Sequence, residues 1–175
     1  MPGQKFIAII ANKLKEIAGL QISAGAADAN KLISTNSVGV IDVTLLPPGI
    51  GAEVVNAPTT ENIAAGDFVN LYQNSGVISL RKADASTNTK PVNGFVIANS
   101  TYPANATMYI LGTANNFRTG LTIGNEYVLS KTVPGGVTDI STFVGTAGNI
   151  LQPIGKAISA TSMLTSQNVN YVEIT

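Results

Sequence analysis

The chain contains no cysteine, no histidine and no tryptophan in 175 residues. Without thiolate or imidazole it cannot build a Cys/His zinc site, form a disulfide, or run a serine or cysteine triad on a histidine base. No function can depend on the redox state of a thiol. Charge is scarce as well. Asp, Glu, Lys and Arg make up 11% of the residues, against about 25% in an average soluble domain. Ten acidic and ten basic side chains cancel to a net charge of zero. A nucleic-acid surface needs a row of cations, yet the densest basic groups are only Lys13-Leu14-Lys15 and Arg81-Lys82. No nucleic acid is expected as a partner. Long apolar runs are missing too: the uncharged stretch 91–117 is broken by Asn93, Asn99, Pro103 and Asn105, so no membrane span is expected. The apolar stretch 6–11 is too short for a secretory signal, and Lys13, Lys15 and Glu16 follow it. Synthesis in a cytoplasm without export by that route is the expectation.

What the chain does have is apolar and neutral-polar surface. Hydrophobic residues make up 45% and the mean hydropathy is +0.26. Low charge at a neutral balance gives a monomer little colloidal protection, and depletion of charge is also the composition of a buried protein–protein interface. An obligate assembly component fits these values; a neutral β-protein rich in Thr and Asn is the plainer alternative.

Catalysis has little to work with. Paired carboxylates for glycoside hydrolysis stand about 5–10 Å apart across a cleft, and nothing in the sequence places two acids together. Glu53 and Glu61 flank a turn, Asp139 stands alone in a loop, and Asp28, Asp42, Asp67 and Asp84 sit beside small residues as turn formers do. A calcium loop needs several oxygens close together. Gly135-Gly136 and Gly145-Thr146-Ala147-Gly148 lack the lysine and following helix of a phosphate loop. Tyr72, Tyr102 and Tyr109 could stack on a sugar, although core and rim positions account for them as well. The expectation is a protein that is not an enzyme, with no catalytic residue, no cofactor and no metal.

Two textures divide the chain near residue 51. Residues 23–51 are rich in small side chains, carry only Asp28, Lys31 and Asp42 as charges, and sustain no helical period. Such a segment cannot bury enough of its own surface to offset its ordering entropy, so it reads as an arm lying against something else. Pro47-Pro48-Gly49 forbids helix and closes the arm. Before it, residues 5–17 allow two readings. Phe6, Ile9, Ile10, Leu14 and Ile17 share one helical face, whereas the β-branched run 6–10, a turn at Ala11-Asn12 and a return over 13–17 make a hairpin.

After residue 52 short strands alternate with explicit turns. Strands are expected at 53–55, 68–72, 78–82, 92–98, 106–111, 126–129, 150–159 and 171–174. Turns fall at 73–76, 86–89, 134–136 and 145–149. That spacing predicts a small antiparallel β-barrel or sandwich over 52–175, preceded by an N-terminal arm over 1–51. Weak alternation in 68–72 and 108–111 implies strands covered on both faces. Pro153 belongs on an edge or at a bulge. The expected core is Val69, Leu71, Phe95, Ile97, Tyr109, Leu111, Tyr127, Leu129, Ile154 and Ile158. Gly66-Asp67-Phe68-Val69 and Gly124-Asn125-Glu126-Tyr127-Val128 echo each other; a shared turn-then-strand grammar explains the match as well as a duplication does.

The arm carries a recognisable pattern: Gly25, Ala26, Asp28, Ala29, Lys31 and Leu32, then Gly39, Ile41 and Asp42, then Leu45, Leu46 and Pro47. This resembles structural proteins of tailed bacteriophages, in which such a pattern joins a short N-terminal element to a small β-domain. The strings 65–70, 81–84, 93–96, 120–122, 127–130, 134–137 and 152–157 resemble the β-domain of phage capsid-decoration and fibre-type proteins. The resemblance favours the hairpin over 5–17. It implies a structural virion protein, foremost a capsid decoration (cement) protein that binds and stabilises the head shell. A tail or head fibre subunit is the near alternative, and a receptor- or carbohydrate-binding β-module the alternative of another class. It further implies a homotrimer, contact with the major capsid protein or a neighbouring virion protein, and a place on the outer surface of the capsid. The interface is expected at Phe6, Ile7, Ile9, Ile10, Leu45, Leu46 and Pro47.

Overall fold

The computed structural model describes residues 5–37, 39–42, 45–46, 53–167 and 170–175. The chain divides into two compact units, Met1–Gly51 and Ala52–Thr175. Strands are its regular structure; among the described residues there is no α-helix.

In the first unit β1 (Lys5–Ile10) and β2 (Lys13–Ala18) form an antiparallel hairpin. Its two-residue turn holds Ala11 at φ 53° and Asn12 at φ 60°, the left-handed pair whose twist matches that of the flanking strands. Of the two readings of 5–17, the hairpin is the one observed. The chain then doubles back: Leu20 bridges Ile33, and the Gln21 amide donates to the Thr35 carbonyl at 2.8 Å. A single turn of 3-10 helix, Ala26–Asp28, lies between. Gly19 is required here, because a Cβ would stand 2.5 Å from Ser34 Oγ and 2.8 Å from the Phe6 ring.

Among its described residues the second unit holds twelve strands: β3 (Val54–Pro58), β4 (Phe68–Asn74), β5 (Val77–Lys82), β6 (Gly94–Val96), β7 (Asn105–Ile110), β8 (Ala114–Asn115), β9 (Glu126–Leu129), β10 (Val137–Asp139), β11 (Ile150–Leu151), β12 (Pro153–Ala157), β13 (Met163–Thr165) and β14 (Val172–Glu173). Two five-stranded antiparallel sheets carry the fold, ordered β3-β7-β6-β4-β5 and β10-β9-β12-β13-β8; β11 pairs with β14 separately. Mainly β structure in sandwich-like sheets is what the turn spacing predicts. The first sheet also curls until Thr59 bridges Leu80, which brings its two edges together at one point without closing a barrel.

The two sheets share one topology. Counting strands from β3 in the first sheet gives the spatial order 3-2-4-5-1 from the β5 edge. Counting β8, β9, β10, β12 and β13 in the second gives the same order from the β10 edge. The echoing strings mark equivalent places: Phe68 opens β4 and Tyr127 lies in β9, and both point into the main core. Turn grammar alone does not dictate strand order, so the repeated order supports duplication.

The main core combines residues of both sheets: Phe68, Phe95 and Leu111 with Tyr127, Leu129, Ile154 and Met163. Direct pairing of Phe68 with Phe95 and of Phe95 with Tyr109 lines three rings across three strands. Their centroids are 6.2 Å apart edge-on and 6.0 Å apart stacked, distances at which aromatic pairs gain beyond simple burial. On the opposite face of the first sheet Val69, Leu80, Val96, Ala106 and Met108 build a second core with Ala57 and Ile63. Those strands are therefore buried on both faces, as their weak alternation implies.

Of the expected core, Val69, Phe95, Leu111, Tyr127, Leu129 and Ile154 are buried, and Leu71, Ile97 and Tyr109 pack partly buried against it. Ile158 is exposed instead: β12 ends at Ala157, and Ile158 starts a turn in which its N–H donates to Ser162. The expected strand 150–159 is split at Gln152, and Pro153 sits where the β12–β9 register shifts. Gln152 is fully buried. Its Oε1 accepts the Val92 N–H at 2.7 Å and its Nε2 donates to the Val92 carbonyl at 3.1 Å. A Gln152→Leu variant strands both groups, so it should cost about 1–3 kcal/mol, read as a lowered denaturation midpoint at unchanged slope.

Candidate functional site

The hairpin gives the first unit its most distinctive surface. Residues paired directly across an antiparallel ladder share a face. Lys5 with Ala18, Ile7 with Glu16 and Ile9 with Leu14 therefore make one face, and Phe6 with Ile17, Ala8 with Lys15 and Ile10 with Lys13 make the other. On the first face Ile7, Ile9 and Leu14 are 77%, 73% and 74% exposed. The open end of this face carries an ion pair, Lys5 Nζ to Glu16 Oε2 at 3.0 Å. It is an apolar triad bordered on one side by two opposite charges. On the second face Phe6 and Ile17 are half-buried and Ile10 is exposed.

The hairpin is not alone. Ile22, Leu32, Ile33, Val40 and Ile41 are exposed as well. Among the described residues the first unit buries no apolar side chain at all. Its order comes from polar turns, and the residues of the phage-like pattern supply them. The Asp28 carboxylate accepts the Lys31 ammonium at 2.6 Å and the Ala24 N–H at 2.6 Å. The Lys31 hydrogen bond is the main reason that the Asp28 carboxyl lies below the ordinary carboxylate value; the Ala24 N–H adds to it. Asn36 Oδ1 accepts the Val40 N–H at 3.0 Å, and Gly39, at φ 79°, donates to the Asn36 carbonyl. These turns fix the backbone while the apolar side chains face outward.

Of the residues expected at the interface, Ile7, Ile9 and Ile10 are exposed, and Phe6, Leu45 and Leu46 are half-buried. Pro47 lies outside the described residues. Sequence reasoning missed Leu14, which the register places beside Ile9. The signal for it was its position two residues past a predicted two-residue turn, opposite Ile9.

Three of the acids weighed for chemistry, Glu61, Asp67 and Asp139, hold backbone. Glu61 Oε1 accepts the Lys82 N–H at 2.9 Å, and Asp67 Oδ2 accepts the Ala64 N–H at 2.9 Å beside the Lys82 ammonium at 3.5 Å. Asp139 caps the short turn Ile140–Thr142 through the Ser141 N–H and hydroxyl, and it also accepts the Asn125 amide. Those bonds, the Ser141 hydroxyl first, hold its carboxyl below the ordinary value. The Arg118 guanidinium donates to the Gly66 and Gly135 carbonyls; burial lowers its pKa, against the pull of Asp67. Among the described residues no three His, Cys, Asp or Glu side chains stand where they could hold a metal ion.

The three tyrosines considered for sugar stacking have separate surroundings. Arg81 covers the Tyr72 ring at 4.0 Å, Tyr109 stacks on Phe95, and Tyr102 is exposed in the loop after β6. A second feature escaped sequence reasoning. On the face of the second sheet away from the main core, a groove of about 340 Å³ is lined by Glu126, Ile140, Pro153, Gly155, Lys156 and Leu164, among others.

No family model matches this chain, and no curated protein matches it. Among solved structures it is similar to the crystal structure of the N base of the head fibre gp8.5 of bacteriophage phi29. The two are 16% identical, with a TM-score of 0.44, over 69% of this chain and 98% of that one.

Proposed function

We propose that this chain is a structural virion protein that attaches to its neighbours through the 1–51 arm, with capsid decoration as its role. The carrying observation is the state of the arm: its backbone is ordered by polar turns, while Ile7, Ile9 and Leu14 stand about three-quarters exposed. Fully burying a large aliphatic side chain is worth roughly 1.5–3 kcal/mol, so such surface gains from being covered and marks a docking site. The phage-like arm pattern of Gly25 to Leu46 supplies the class of partner, a second copy of the chain or a shell protein. The low overall charge fits a surface that spends its life covered.

Self-association belongs to this reading, with a trimer as the expected state. Sedimentation velocity at micromolar concentration should show no dominant 18.0 kDa species; a stable monomer at that concentration contradicts it. Attachment is tested on the same face. The variant Ile7→Thr, Ile9→Thr, Leu14→Thr places β-branched residues suited to a strand at all three positions and removes the apolar triad. At about 1.5 kcal/mol lost per side chain, binding to the particle should weaken on the order of a thousandfold, with the thermal stability of the chain unchanged. Undiminished binding refutes the reading.

A further inference from the structure

The shared topology of the two sheets allows them to be compared position by position, and one difference stands out. In the first sheet β6 pairs with β7 through Val96 and Met108, on the face away from the main core. In the second sheet the equivalent strands β12 and β13 pair through Lys156 and Leu164. Val96 and Met108 are 1% and 2% exposed, whereas Leu164 is 51% exposed and Lys156 is exposed too. The reason lies in what crosses each face. In the first sheet the segment after β3 folds over: Thr59 bridges Leu80, Ile63 bridges Ser100, and Ile63 is buried. In the second sheet the segment after β8 places Leu121 in the main core instead. Around Lys156 and Leu164 its far face is left open, at the 340 Å³ groove.

We propose that this open face receives the β1–β2 hairpin of a second copy of the chain. The inference rests on the reading of the arm as a docking element and names its partner surface. Chemistry on the two sides matches. Glu126 and Lys156 are directly paired across β9 and β12, and neither makes an ion pair among the described residues. The hairpin offers the opposite pair, Lys5 and Glu16, on neighbouring strands. Setting Lys5 over Glu126 and Glu16 over Lys156 makes an alternating four-charge cluster, and reversing the hairpin puts like charges together, which fixes the orientation. Next to the charges, each side is apolar: Ile7, Ile9 and Leu14 on the hairpin, Ile140, Pro153 and Leu164 on the groove. Because hairpin and groove are different surfaces, the contact is head-to-tail, and such contacts build rings when the rotation closes. A trimer is one such ring.

Charge exchange in the full-length chain tests this. The hairpin variant Lys5→Glu, Glu16→Lys and the groove variant Glu126→Lys, Lys156→Glu each keep an attractive pair within their own ribbon, so each should fold as the natural chain does. Each alone should weaken self-association at least tenfold by sedimentation. All four substitutions in one chain should restore it. No loss in either variant, or no recovery in the combination, overturns the proposal. The absence of natural cysteine allows a second measurement. Mixed Ile9→Cys and Leu164→Cys chains should form a disulfide-linked pair under mild oxidation, and failure to cross-link also counts against it. If deleting the arm abolishes association while the charge exchanges do nothing, the arm reading stands and only this docking surface is wrong.

Discussion

Removing residues 1–51 should leave a folded, soluble β-domain that neither self-associates nor binds its particle. Every residue of both buried clusters lies beyond position 52, from Ala57 to Met163. The first unit contributes no buried apolar side chain among the described residues, so deletion takes nothing out of either core. It does take away Ile7, Ile9 and Leu14 together with Ile22, Leu32 and Ile33. At about 25 cal/mol per Å² of apolar surface, covering these side chains outweighs anything that scattered exposed residues on the β-domain offer. Circular dichroism and a cooperative thermal transition report the fold of the shortened chain, and co-sedimentation with the particle reports attachment. An unfolded product would place the arm within the core; full binding would move attachment to the β-domain.

The Phe95→Ala variant should have the largest effect on stability of any single substitution in the β-domain. Phe95 is 1% exposed and contacts both Phe68 and Tyr109 in the three-ring row. Emptying such a site costs about 3–5 kcal/mol, a large part of the roughly 5–15 kcal/mol that holds a domain folded. For a unit of this size the melting temperature should fall by about 10–20 °C. Ile123→Ala is the control: Ile123 is 68% exposed, and its loss should move stability by less than about 0.5 kcal/mol. Similar effects for the two would mean that the row of rings is not the centre of the core.

Much of this architecture is legible in the sequence because turns are strongly encoded. Ala11-Asn12 and Ser75-Gly76 occupy the left-handed conformations that two-residue hairpin turns demand, and each hairpin follows from its turn. Strand existence is legible where a run reaches four or more residues, as in β4, β5 and β9. It is not legible for β8, β10 and β13, whose two or three residues cannot display a period. The break at Gln152 is hidden for another reason. A glutamine that satisfies both polar groups of Val92 looks in sequence like any polar strand residue.

The candidate site divides in the same way. That the arm is apolar and low in charge can be read directly, and Ile7 and Ile9 emerge from it. Assigning Leu14 to their face needs the register, since a one-residue slip would turn it to the other side. The groove near Glu126 and Lys156 is invisible, because it arises from strands brought together by pairing between distant segments. Its existence follows from what does not cross that face, which only the comparison of the two sheets reveals.

The account stands on the hairpin face being covered in the assembled state, and hydroxyl-radical footprinting measures that cover side chain by side chain. In the dissociated monomer, diluted below the range of self-association, Ile7, Ile9 and Leu14 should be readily oxidised. On the particle they should lose most of that reactivity, while Ile123 and Val144, exposed on the β-domain, retain theirs. Oxidation of the three hairpin residues to the same extent in the free and assembled protein would contradict the account.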